Sequence, residues 1–168
     1  MPSTFELVTD AEDDAVDAVY RAAFAADGLG VNPRFREEQL AMHRARKGFT
    51  LVGAAEAGRL VGFAYAYTGD RGQWWHEHVA ERVSSELADT WLGGHLEVVE
   101  LAVLPEARGR GIGAALMTAL VADRPEPCAL LGTGRRPSPA RRLYERLGWI
   151  ELQHDLDADT SLYGRLLR

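Results

Sequence analysis

Hydrophobic positions in this 168-residue chain switch between a helical and a strand-like period. Residues 5–8, Phe-Glu-Leu-Val, form a short first strand. Val16, Val19, Tyr20, Ala23 and Phe24 then fall at i, i+3, i+4, i+7 and i+8, a single helical face. Asp10 or Asp13 is placed to cap that helix, and Gly28 and Gly30 to end it. Asn32-Pro33 has the form of a cap followed by a first-turn proline, which predicts a second helix to about Lys47. Residues 49–55 and 60–67 are apolar and β-rich, and the Glu56-Ala57-Gly58-Arg59 stretch between them predicts a hairpin. Trp75, Val79, Val83 and Leu87 recur every four residues, so a helix is expected between Gly72 and Gly93-Gly94.

The second half follows the same logic. Residues 95–104 are a strand closed by Pro105, and Ile112, Ala115, Leu116, Ala119 and Leu120 mark a helix over 112–122. Residues 128–131 are a short buried strand. Ser138 and Pro139 fit the N-cap and first position of a helix to Leu147, with Gly148 past its end. Residues 149–153 and 162–167 form a terminal strand pair. The order is mixed α/β (α+β), with a parallel step across the 112–122 helix. With no repeat, low-complexity tract or linker, residues 1–168 are expected to be a single domain.

Composition narrows the function classes. The lone Cys128 can make neither an internal disulfide nor a zinc cluster, and it reads as a buried filler rather than a nucleophile. No stretch approaches the ~18 apolar residues of a membrane span, so no membrane partner is expected. Met1-Pro2-Ser3-Thr4-Phe5-Glu6 lacks the basic and apolar regions of a signal peptide, and a cytoplasmic location is the expectation. The net charge of −6 argues against nucleic acid as a partner. That charge is uneven. Residues 1–100 carry nine basic and 17 acidic side chains, whereas 105–146 carry eight arginines against four acidic groups. A phosphate-bearing ligand suits the second region, and a cationic partner suits the first.

The positive region surrounds the strongest motif, Val-Glu-Leu-Ala-Val-Leu-Pro-Glu-Ala-Arg-Gly-Arg-Gly-Ile-Gly-Ala-Ala-Leu over 99–116. A strand runs into a Gly-rich loop that opens an amphipathic helix. Gly109, Gly111 and Gly113 let backbone approach a ligand, amides and the helix dipole point at an anion, and Arg108 and Arg110 add charge. Pyrophosphate binding is the implied chemistry. A P-loop would need Gly-Lys-Ser/Thr where this chain has Gly113-Ala114-Ala115. A dinucleotide fingerprint would need Gly-x-Gly-x-x-Gly on an early strand, and here the spacing is Gly-x-Gly-x-Gly late in the chain.

The segment Arg108-Gly109-Arg110-Gly111-Ile112-Gly113-Ala114 resembles the Arg/Gln-x-x-Gly-x-Gly/Ala acyl-CoA loop of the GNAT superfamily of N-acetyltransferases. Residues 140–149, Ala-Arg-Arg-Leu-Tyr-Glu-Arg-Leu-Gly-Trp, resemble that superfamily's C-terminal helix and following strand. The resemblance implies a mixed, splayed central sheet flanked by helices, here with an extra helical segment between the third and fourth strands. It implies acetyl-CoA as co-substrate, with the pantetheine arm against backbone at Leu101, Ala102 and Val103. It also implies transfer of the acetyl group to a primary amine of a small molecule or peptide by direct attack. The alternative is a non-catalytic acyl-CoA-binding or sensing module. Where the family often has an Asn before the last helix, this chain has Arg136-Pro137-Ser138-Pro139; Ser138 either replaces that cofactor contact or only caps the helix.

Tyr144 matches the tyrosine that stands near the cofactor sulfur in the family, which makes it the candidate acid. The family's catalytic Glu lies on the strand before the loop, at an offset that fits Glu97 or Glu100. Glu100 is preferred because Val98, Glu100 and Ala102 share a strand face and Glu100 adjoins the pantetheine segment. Trp74 and Trp75, with Tyr65, are the acceptor-site candidates, and the 70–94 segment is either a lid over the acceptor or a packing or homodimer element. No metal site is expected. His76 and His78 are two residues apart, which does not put them on one helical face, and His95 is expected to be an exposed strand-start histidine.

Overall fold

A computed structural model describes residues 4–168. Met1, Pro2 and Ser3, which open the stretch inspected for a signal peptide, lie outside the described residues. Seven strands hydrogen-bond in the order β1-β2-β3-β4-β5-β7-β6, with both parallel and antiparallel neighbours. They are β1 (Glu6–Val8), β2 (Thr50–Glu56), β3 (Arg59–Thr68), β4 (Leu96–Val103), β5 (Cys128–Gly134), β6 (Ile150–Gln153) and β7 (Thr160–Leu166). The chain divides into two compact units, one of Met1–Ala66 with Glu100–Ala122 and one of Tyr67–Val99 with Asp123–Arg168.

In the first unit, α1 (Asp13–Ala26) buries Val16, Val19, Tyr20 and Ala23, the predicted stripe. Its N-cap is Glu12, with no side-chain cap bond, rather than Asp10 or Asp13. Asp13 and Asp14 lie instead in the first turn, where carboxylates oppose the helix dipole. The expected second helix is also different. Asn32 Oδ1 accepts from the Arg34 amide at 3.0 Å, and the helix then opens with a π turn, Phe35–Leu40, before the short α2 (Ala41–Arg44). Phe35 and Leu40 are both fully buried. Five residues apart, they would diverge by about 140° on an α-helix, and the wider π turn brings them to one face.

The predicted hairpin is β2–β3, closed by a two-residue turn rather than four: Ala57 and Gly58 both adopt positive φ, 48° and 77°. α5 (Ile112–Val121) packs closely on β3. A Cβ on Gly62 would stand 3.1 Å from the Ala102 carbonyl and 3.3 Å from Ile112 and Leu116.

In the second unit, β4 and β5 pair in parallel at Leu96↔Ala129 and Glu97↔Leu130, the expected parallel step. β5 then pairs antiparallel with β7 along its whole length, and β6 pairs with β7. The expected single helix before β4 is two, α3 (Trp74–Ala80) and α4 (Ser85–Trp91). Ser84 starts the second by accepting from the Leu87 amide at 3.1 Å. Trp75, Val83 and Leu87 still pack on one cluster with Val79, Leu130, Leu156 and Leu162, which is why the four-residue repeat runs through the break. Ser138 caps α6 (Pro139–Arg146) as expected, accepting from the Arg141 amide at 3.2 Å. His95 is not exposed. It is fully buried against Gly69, where a Cβ would come within 2.2 Å of its ring. Among the described residues, no helix is long and apolar enough to cross a membrane.

Candidate active site

In the first unit, β4 leads through a 3-10 turn, Pro105–Ala107, into the glycine loop. Gly109 and Gly111 hold φ of 76° and 81°, and the space where a Cβ would project is open at both. Gly111 is the N-cap of α5, whose first hydrogen bond runs from the Ala115 amide to the Gly111 carbonyl, 3.0 Å. The amides of Ile112, Gly113 and Ala114 therefore have no acceptor within the helix and face its start, together with the positive end of the dipole. This donor set fits the pyrophosphate of a coenzyme A thioester.

The two loop arginines are differently employed from the expectation. Arg108 donates to the carbonyl of Val103 at 2.9 Å and to Asp27 at 2.6 Å. Arg110 pairs with Glu56 at 2.6 Å. Carboxylates thus offset the charge that the motif alone assigned to an anion. Along β4, the Leu104 amide donates to Val61 and the Ala102 carbonyl faces Gly62. By strand alternation, the polar backbone groups of Leu101 and Val103 face away from β3, with the Val103 carbonyl taken by Arg108.

Glu100 sits in a polar network of the same unit. Gln39 Nε2 donates to Glu100 Oε1 at 3.1 Å and to the Tyr65 hydroxyl at 3.2 Å. The Tyr65 hydroxyl is 2.8 Å from His43 Nδ1. Burial of the Glu100 carboxyl pushes its pKa up to about 7, against the opposing hydrogen bond from Gln39. Burial also lowers His43 to about 4, with the Arg46 charge adding to it, so this imidazole is neutral at neutral pH. Tyr65, expected on the acceptor wall, is fully buried, with its hydroxyl inside the network. Neither Gln39 nor His43 was anticipated. They stand on the π turn and α2, where the apolar periodicity is weak, and their meaning depends on contacts 61 and 22 residues away in sequence.

The second unit holds the other candidates. Glu97 is buried and accepts from the Tyr67 hydroxyl. Tyr144, on α6, is buried beside Trp149 and Tyr163, with ring centroids 6.3 and 6.4 Å apart. Trp75 packs inward on the cluster beneath α3, whereas Trp74 is 72% exposed and stacks on His78 at 4.8 Å. His78 turns to Asp157 at 3.0 Å, and His76 is buried with its ring 6.1 Å from that of His95.

A strand, a glycine loop and a helix start whose first-turn amides have no acceptor within the helix, in a mixed sheet of this order, define an α/β fold built to receive an anionic ligand. The acetyltransferase (GNAT) family model matches residues 13–149, and the chain belongs to that family. It is 39% identical over 101 residues to a GCN5-like protein acetyltransferase of Mycobacterium tuberculosis, which covers 55% of this chain and 49% of that protein. The chain thus spans about half the length of the curated relative it matches. Among solved structures, the fold is similar to a GNAT acetyltransferase of Staphylococcus aureus Mu50, with a TM-score of 0.73 at 13% identity, over 98% of this chain and 100% of that one. It is also similar to the PaiA N-acetyltransferase of Thermoplasma acidophilum, solved in complex with coenzyme A, with a TM-score of 0.66 at 13% identity, over 98% and 99%. Both likenesses concern the fold alone.

Proposed function

We propose that this chain is a single N-acetyltransferase domain that moves the acetyl group of acetyl-CoA to a primary amine of a small molecule or peptide by direct attack. The observation that carries this reading is the Glu100 carboxyl, held near a pKa of 7 beside the acyl-CoA loop motif. Acetyl transfer needs a neutral amine. A lysine-like amine of pKa ~10.4 costs about 4–5 kcal/mol to deprotonate at pH 7. A base whose pKa lies near that pH is substantially ionised yet still holds a proton well, the best compromise for taking it, directly or through one water. Glu100 is therefore the base in this reading, in preference to Glu97.

The glycine loop and the first turn of α5, from Gly109 to Ala114, hold the pyrophosphate, and the backbone of Leu101 and Val103 pairs with the pantetheine arm. Ala102 contributes by holding β4 to β3. Arg108 and Arg110 shape the loop through their carboxylate partners, and Ser138 serves as the helix cap. Tyr144 gives its proton to the departing thiolate. Trp74 supplies an exposed face for the acceptor, and Trp75 supports it from beneath. The acidic excess of the first hundred residues suits a cationic acceptor, and the single buried thiol, Cys128, suits a reducing compartment.

A panel of amines incubated with acetyl-CoA, read by release of free thiol, tests the proposal. Thiol release that requires an amine is the expected result. Thermal stabilisation by acetyl-CoA with no amine-dependent release would favour the non-catalytic acyl-CoA-binding module instead.

A further inference from the structure

We infer that Gln39 is the positioning residue of the proposed base: its amide is locked in one orientation and directs an N–H at Glu100 Oε1. The inference rests on the reading of Glu100 given above.

The polarity of the network starts at a group that can only donate. The backbone amide of Arg34 donates to Asn32 Oδ1 at 3.0 Å, so the other end of the Asn32 amide is its NH₂. That Nδ2 faces Gln39 Oε1 at 3.4 Å, which makes this end of Gln39 the acceptor. Gln39 Nε2 is thereby turned to Glu100 at 3.1 Å and Tyr65 at 3.2 Å. Asn32 is itself anchored, its backbone N–H donating to the Tyr20 hydroxyl at 2.9 Å. A flipped Gln39 would set its carbonyl against the Glu100 carboxylate and face its NH₂ to that of Asn32, losing on both sides.

The other end of the network agrees. Tyr65 accepts from Gln39, so its own O–H is available to His43 Nδ1 at 2.8 Å. That bond requires a neutral imidazole with an unprotonated Nδ1, and burial keeps His43 neutral. Both Gln39 N–H groups are thus directed, one to the base and one to a support. Among the described residues, Tyr20 on α1 feels the Glu100 charge, and Tyr65 on β3 and His43 on α2 join Glu100 through Gln39. Tyr20 is shifted upward chiefly by burial, with the Glu100 charge contributing, and it does not ionise near neutrality. The Gln39 N–H therefore stabilises the ionised form of a carboxyl that burial alone would keep protonated.

The test uses the full chain and two substitutions, Gln39→Met, which keeps length and removes the donor, and Gln39→Ala. The Glu100 carboxyl is titrated by its 13C resonance, assigned by its disappearance in Glu100→Gln. Where an acceptor is in hand, the acid limb of kcat/KM is followed as well. Loss of the donor is expected to move the Glu100 titration upward by about one pH unit in each folded variant. Thermal melts identify the variants that fold. An unmoved titration midpoint in a folded variant would overturn the inference, and a uniform loss of activity with an unmoved limb would mark a merely structural role. If Glu100→Gln keeps the acid limb, the base assignment itself fails. If it abolishes the limb while Gln39→Met leaves it in place, only the positioning role fails.

Discussion

The Tyr67 hydroxyl donates to the Glu97 carboxylate, and both side chains are buried, at 1% and 4% exposure. The two strand glutamates thus have different partners: Glu97 meets a hydroxyl, Glu100 an amide. Glu100, whose carboxyl is pushed by burial up to a pKa of about 7, is the one suited to exchange protons near neutrality. Glu100→Gln is expected to lower kcat by about 10²–10⁴-fold with the fold intact. Glu97→Gln is expected to cost about 1–3 kcal/mol of stability through the altered buried bond. Steady-state kinetics beside urea unfolding separate the two effects, and equal kinetic losses would contradict the assignment.

Stability should depend on pH in opposing ways. Glu100 has a folded pKa raised from 4.5 to about 7, so the native state binds the extra proton between those values. Its contribution therefore declines as pH rises from 4.5 to 7 and is level above that. His43 and His95 have folded values lowered from 6.5 to about 4, through burial above all. Between pH 4 and 6.5 the unfolded chain binds more protons at these two sites, and stability rises with pH. The two histidines outweigh the one carboxyl, so stability from these groups should climb from pH 4 to 6.5 and dip slightly to 7. In Glu100→Gln the climb should be steeper and the dip absent. Unfolding free energies across this range, measured on both proteins, check the sign.

The elements legible in the sequence were those whose signal is local. The α1 stripe, the β2–β3 hairpin, the Ser138 cap and the glycine loop all depend on residues within a few positions of one another. What could not be read depends on contacts distant in the chain. His95 looked exposed because it opens a strand, but its burial is decided by Gly69, the one residue type whose missing side chain makes room for the ring. The π turn over Phe35–Leu40 follows from the burial of both ends, not from any local propensity. Of the candidate site, the sequence offers two strand glutamates, Glu97 and Glu100, and does not point to Gln39, since an isolated glutamine between Glu38 and Leu40 carries no pattern that points to its partner.

Arg108 and Arg110 should separate on substitution. Arg108 joins the Val103 carbonyl and Asp27 and also reaches the Ala23 carbonyl at 3.4 Å, so it ties β4 to the end of α1. Arg110 makes a single carboxylate partnership with Glu56. Arg108→Ala is expected to lower stability by about 1–3 kcal/mol and to weaken acetyl-CoA binding as the loop loosens. Arg110→Ala should change stability by about 0–1 kcal/mol, as for other exposed ion pairs. Thermal melts with and without acetyl-CoA distinguish them. Equal losses of stability would show that Arg108 does not brace the loop.

The adjacent tryptophans offer the clearest separation of packing from recognition. Neighbouring residues on a helix point about 100° apart, so one indole can enter the core while the other leaves it. Trp75 takes the inward course, onto the cluster of Val79, Leu130, Leu156 and Leu162. Removing it opens a cavity that the surrounding strands cannot fill, and Trp75→Ala is expected to cost about 3 kcal/mol. Trp74 presents most of its surface to solvent and stacks on His78. Trp74→Ala should therefore change stability by about 0.5 kcal/mol or less. If Trp74 is the acceptor face, the same substitution raises KM for the amine several-fold and leaves KM for acetyl-CoA unchanged. A Trp74→Ala enzyme with both KM values unchanged would remove it from the site, and the exposed indole would then belong to another surface of the molecule.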